Sequence, residues 1–203
     1  MSLLRRTSGL LLAATVLALG WQLLPVSAES SPGVWEGGVV RYYDATDMER
    51  TVATAAARWN ASGARVRLRR VEARRAADVI VKVDDGELID ACGRDCLGFA
   101  THIGRTTDEP TTVLLSGDLG ADPRPLSVWV AAHEFGHVLG LHHRDGNACS
   151  LMSEHAFDTS CAPSLAVENV TFDQLACVPA PADVRTVARL YGGRPARIDP
   201  SCR

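Results

Sequence analysis

Hydrophobic and polar positions change period several times along this chain, and each change marks an element. An apolar run, Leu10–Leu19, comes first, behind Arg5 and Arg6. Val39–Tyr43 has strand composition. Beyond it Val52, Ala55, Ala56 and Trp59 recur at helical spacing up to Asn60, with Asp44 or Thr46 placed to cap the helix. Val66–Val71 then alternates: Arg65, Arg67 and Arg69 fall on one side and Val66 and Leu68 on the other, which predicts a strand with one wet face. Asp78–Val83 is apolar more continuously, so it is expected at the centre of a sheet. Leu97–Ile103 and Thr112–Leu115 read as two further short strands. From Ser127 to Leu141 the helical period returns in Val128, Ala131, Ala132, Phe135, Val138 and Leu139, with Pro123 and Pro125 just upstream, where a helix start tolerates them. The Pro-Ala stretch Val178–Pro181 introduces a last helix. Strands and helices in this order predict one α+β domain, without internal repeats.

The second long helix carries chemistry. Within it and just beyond stands His133-Glu134-Phe135-Gly136-His137-Val138-Leu139-Gly140-Leu141-His142-His143. Residues four apart on a helix share a face, so His133 and His137 can bind one metal ion, with Glu134 beside them to handle a water without ligating. Gly140 stands where a helix must break, because glycine accepts the left-handed backbone that ends one. The chain can then turn and bring His143 to the same ion. Three nitrogen ligands leave a tetrahedral zinc with an open position, the arrangement of a catalytic site. The bland alternative is a histidine-rich core helix.

The extended motif resembles that of the metzincin zinc metallopeptidases. Cys149-Ser150-Leu151-Met152-Ser153 falls where those enzymes place a methionine turn under the metal, which implies that Met152 is a hydrophobic floor. Within that group the chain is most similar to the snapalysin type: Val40–Ala45, Ala57-Arg58-Trp59-Asn60, His133–Leu141, Cys149–Ser153 and Cys161 carry the likeness. His143 departs from it, because snapalysins have aspartate as third ligand. Histidine there, and the stretch from Ala182 to Gly192, look like the matrixins. The resemblance implies a small twisted mixed sheet, an active-site helix, a methionine turn and a C-terminal helix. It also implies a disulfide between Cys149 and Cys161.

The implied activity is endopeptidase hydrolysis of a protein or peptide substrate. Zinc held by His133, His137 and His143 makes a water nucleophilic at neutral pH, and Glu134 acts as the general base. An extended peptide is expected to add as a strand at an exposed edge, for which Leu97–His102 is the candidate. His142 is left as a pocket-wall residue, and no tyrosine closely follows Met152 to assist the oxyanion. Two other functions remain open: a zinc-binding or adhesion module without turnover, and a zinc amidase acting on cell-wall peptide.

Composition adds compartment and partners. Arg5 and Arg6, the apolar run and Val26-Ser27-Ala28 form a signal-peptide pattern, residues 1–28, with an uncleaved anchor as the alternative; the run is shorter than a membrane span needs. A secreted catalytic domain of residues 29–203 is then expected, monomeric, and with no propeptide or cysteine switch in Glu29–Gly38. Removing two arginines and no acidic residue takes the net charge from −3 to −5, which gives no reason to expect nucleic acid or a membrane as partner. Six cysteines in a secreted chain read as three disulfides, and with Cys149–Cys161 taken from the resemblance, Cys92–Cys96 and Cys177–Cys202 follow as local pairs. The arginine run from Arg65 to Arg75 reads as a solvated strand face, with recognition of acidic polymers as the alternative. Asp84, Asp85, Glu87 and Asp90 read as an exposed turn, with calcium as the alternative.

Overall fold

A computed structural model describes residues 33–105, 109–144, 150–154 and 179–196. Five strands are β1 (Val39–Asp44), β2 (Arg67–Arg70), β3 (Val79–Val83), β4 (Gly98–Ala100) and β5 (Thr111–Leu115), and four helices are α1 (Glu49–Asn60), α2 (Asp85–Cys92), α3 (Pro125–Val138) and α4 (Pro181–Tyr191). The fold is α+β, with one mixed sheet in the order β2-β1-β3-β5-β4. Strands β2, β1, β3 and β5 run parallel and β4 pairs antiparallel with β5 at one edge. The most continuously apolar strand, β3, is the central one as expected.

Period two sorts each strand. Val40 and Tyr42, Leu68, Val79 and Val81, and Val113 and Leu115 point inward, where they meet Trp59 of α1 and Phe135 of α3 in one core. Helix α3 lies so deep that every residue from Ser127 to Val138 is buried. Its backbone is therefore held by partners from distant segments. Trp59 Nε1 donates to the Ala132 carbonyl at 2.8 Å, Trp35 Nε1 to the Val138 carbonyl at 2.7 Å, and Gly104 N–H to the His137 carbonyl at 2.8 Å. The last two serve carbonyls that a helix end leaves without intrahelical partners. At the other end Pro125 occupies the first turn and Ser127 Oγ accepts the Arg124 N–H at 2.9 Å.

Two expectations are corrected. Neither Asp44 nor Thr46 caps α1, which starts at Glu49. Instead Asp44 Oδ1 accepts from the Thr46 N–H and hydroxyl, and Thr46 Oγ1 accepts from Met48 N–H, so both side chains are consumed in the turn before the helix. The acidic stretch 84–90 is a helix rather than a turn. Asp84 Oδ1 caps α2 by accepting from Glu87 N–H at 3.0 Å, Glu87 pairs with Lys82, and Asp85 accepts from Gly117 N–H at 2.8 Å. These carboxylates serve the fold, and no calcium cluster is found among the described residues. The Cys92–Cys96 disulfide forms as expected, between the end of α2 and β4. The segments of the signal pattern, Cys149, Cys161, Cys177 and Cys202 lie outside the described residues.

The edge at β2 is closed locally. Asn60, the last residue of α1, accepts the Leu68 N–H at 2.8 Å and donates to the Leu68 carbonyl at 3.0 Å. Its amide mimics a neighbouring strand and blunts the edge. Asn60→Ala removes both bonds, and we expect a loss of about 1–2 kcal/mol in denaturant unfolding, with solvent reaching the Leu68 amide in hydrogen exchange.

Candidate metal centre

His133 and His137 project from the same side of α3, one turn apart. Gly140, at φ 92°, ends the helix in a conformation that only glycine adopts freely. The reversal brings His143 back across the helix end. The three Nε2 atoms form a nearly equilateral triangle with edges of 3.1, 3.1 and 3.0 Å. Nitrogens bound to one tetrahedral zinc stand about 3.3 Å apart, so the triangle has the size of a ligand set. Among the described residues these three are the only histidine, cysteine or carboxylate group able to hold a metal ion.

The other ring nitrogens decide what faces the centre. His133 Nδ1 lies 2.7 Å from the Leu151 carbonyl oxygen and His137 Nδ1 lies 2.8 Å from that of Leu141. A carbonyl only accepts, so each Nδ1 carries the proton and donates it. His143 Nδ1 stands 3.1 Å from Glu154 Oε1, which fixes the same tautomer. Three Nε2 lone pairs therefore converge with no proton between them, a repulsive arrangement that a cation relieves. Carbonyl or carboxylate partners on the far nitrogens are the usual support of metal-bound imidazole. The donor set fits a divalent ion such as zinc.

Protonation also favours a cation. Burial, then the neighbouring His137, lowers the His133 value to about 3. Burial, with a smaller contribution from His143, lowers that of His137 to about 4. Both rings stay neutral and free to coordinate across the ordinary pH range.

Glu134 sits beside the triangle and is 4% exposed. Its Oε2 has no hydrogen-bond partner, and burial lifts its carboxyl to about 8. Gly98 explains how the carboxylate fits under β4: a Cβ there would lie 2.6 Å from Glu134 Oε1. A cleft of about 800 Å³ opens over these groups, walled by Leu97, Phe99, Ile103, Leu126, Trp129 and Val130. His142 also lines it, as expected of a wall residue.

Met152 lies beneath, fully buried. A Cβ at Gly136 would stand 2.4 Å from its sulfur, so the second variable residue of the motif has to be small for the floor to close. Sequence reasoning missed what holds this floor. Asp183, buried at the start of α4, accepts from Ser150 Oγ at 2.6 Å and from Leu151 N–H at 2.8 Å, with Arg144 Nε 3.8 Å away. The Leu151 carbonyl in turn orients His133. Only the acid in the first turn of the last helix hinted at this role.

Two outcomes follow for the metal-free protein. Above pH 6.5 the two depressed imidazoles are neutral in both folded and unfolded chains and cost nothing; as pH falls below 6.5 the unfolded chain takes up protons the folded one refuses, so stability drops. Glu134 acts in the opposite sense: its contribution is whole below 4.5 and is lost as pH rises towards about 8. The thermal stability of chelated protein should therefore fall between pH 6.5 and 8, and Glu134→Gln should remove that alkaline decline while leaving the acid one. Gly136→Ala should cost about 1–3 kcal/mol through overpacking against Met152, measured by denaturant unfolding.

No family model and no curated protein matches the chain. Among solved structures, one described as a chaperone-substrate complex is similar at 15% identity, covering 58% of this chain and 28% of that one, with a TM-score of 0.40. The chain thus spans little more than a quarter of that structure's chain.

Proposed function

We propose that this chain is a secreted zinc-dependent endopeptidase of the metzincin type, its ion held by His133, His137 and His143. The observation that carries the reading is a buried carboxylate with an unpartnered oxygen, beside three imidazole lone pairs whose tautomers are fixed from behind. Structural zinc sites fill all four positions with protein atoms, and among the described residues this set supplies three. When bound, zinc supplies Lewis acidity and a water that ionises near neutral pH.

The chain's residues supply the rest. Glu134 takes the proton of the attacking water at its carboxylate and passes it to the leaving amine. A cation bound beside it would favour its charged, proton-accepting form despite the burial, and Gly98 leaves it room to reach the cleft. Strand β4 orients the peptide. Its bonds Ser116 N–H to Leu97 O and Thr101 N–H to Thr112 O commit alternate residues to β5. The register therefore turns the Gly98 N–H and the N–H and C=O of Ala100 to the open edge, where an extended substrate can pair as a strand, while the Gly98 carbonyl faces Cys96 Sγ at 3.1 Å. With the β2 edge closed by Asn60, β4 is the edge available for this. The apolar walls and Trp129, whose ring stacks on His133 at 5.1 Å, exclude water from one side.

A chelator should abolish cleavage of an unfolded protein substrate, and zinc should restore it. Glu134→Gln should lower kcat by about 10²–10⁴-fold with the metal still bound at one per chain by atomic absorption. Retained cleavage in Glu134→Gln removes the mechanism. Stoichiometric zinc without hydrolysis by the wild type would leave a binding module.

A further inference from the structure

The sheet's two faces are treated differently. Its inner face is covered by α1 and α3, and on its outer face α2 packs over β4 and β5, where Leu88 and Leu114 are buried. At the β1–β2 end the outer positions Val39, Arg41, Arg65, Arg67 and Arg69 are exposed. Arg41 is bound to Asp78, and Arg70, on the inner side, is bound to Glu49. Arg65, Arg67 and Arg69 pair with no carboxylate among the described residues. Arg74 and Arg75 follow in the next turn, both exposed, and the acidic residue within the run, Glu72, acts on Arg70.

We propose that this arginine ladder docks a linear, base-free polyanion, in which phosphodiester groups are separated by short uncharged linkers. Residues 65–75 hold six arginines and one glutamate in a chain whose net charge is −3, and on this face Arg65, Arg67 and Arg69 are exposed with no carboxylate partner among the described residues, so positive charge is concentrated there against the overall balance. Alternate residues of a strand stand about 6.6 Å apart and project to the same side. Each guanidinium offers a planar fork that matches phosphate oxygens. Arg67 and Arg69 thus present two phosphate sites one strand repeat apart on the same side, with Arg65 adding a third charge just before the strand. Asn60 has already taken the Leu68 backbone groups, so a peptide cannot dock here by strand addition and only the side chains are offered.

A single-stranded nucleic acid fits less well, because such strands are held by aromatic residues on which bases stack. None occurs from Arg65 to Arg75, and Tyr43, on the same face of β1, lies beyond the end of the β1–β2 pairing. The proposal is independent of what the cleft hydrolyses.

The test is a titration of the full chain with synthetic poly(glycerol phosphate) at stepwise salt, alongside an oligothymidylate of equal phosphate number and polyglutamate. Wild type should bind the glycerol phosphate polymer most tightly. Arg67→Ser with Arg69→Ser should weaken it about tenfold at low salt and make the slope of log K against log salt shallower by about 1.4. Arg58→Ser with Arg94→Ser removes the same charge elsewhere and should leave binding within about twofold. Equal losses in the two double variants, tighter binding of either other polymer, or no binding at all overturns the proposal. Circular dichroism and the thermal midpoint check folding, and Arg67→Gln with Arg69→Gln replaces the serine pair if that pair fails to fold.

Discussion

Three lone pairs pointed at one another are the constraint on which the rest of this structure depends. Left alone, His133, His137 and His143 would turn a ring or share a proton. They are prevented from behind: Leu151, Leu141 and Glu154 each hold an Nδ1. The two carbonyls in turn need fixed backbones. Leu141 follows the reversal at Gly140, and Leu151 sits in a turn held by the Asp183 carboxylate. A chain of hydrogen bonds thus runs from the start of α4 to the centre of the triangle. Its length explains why a short irregular turn and a C-terminal helix are needed at a site made by another helix.

Part of this was legible in the sequence because its geometry is local. The spacings 133, 137, 140 and 143 follow from the helical repeat and from the left-handed freedom of glycine. The strands with clear alternation, and the central place of β3, follow from the same kind of reasoning. What was not legible crosses the chain. That Leu151 meets His133, that Asp183 meets Ser150, and that Gly98 makes room for Glu134 are contacts over 18, 33 and 36 residues. No period announces them. Helix α2 is a different failure, since its signal was present: Asp84 followed three residues later by Glu87 is a helix-start pattern. The stretch reads as an exposed turn, with calcium as the alternative, but the Asp84 oxygen weighed as a cation ligand is already bound to a backbone N–H.

The two edges of the sheet show how one amide and one glycine divide labour. At β2, Asn60 occupies the backbone of Leu68, and the arginines make strand pairing there unfavourable by charge as well. At β4, the absence of a side chain at Gly98 lets the edge sit directly over Glu134, and the Cys92–Cys96 disulfide anchors the segment just before it. An exposed edge is a hazard that proteins usually remove. Here it is kept at the one place where a carboxylate and three imidazoles lie alongside.

Helix α3 makes the cost of the site visible. Nearly all of it is buried, so each of its polar side chains needs a partner. Ser127 bonds the helix start, and His133 and His137 bond carbonyls. Glu134 Oε2 has none. A buried carboxyl oxygen without a partner is destabilising by roughly 1–3 kcal/mol, and an apolar residue of similar size would pack there without that loss. Such a group persists only if something other than stability selects it. Since Glu134 lines the cleft beside a cation-sized convergence of nitrogens, with its other oxygen, Oε1, directly under Gly98 of β4, the placement of this carboxyl is best understood as serving a molecule that comes and goes.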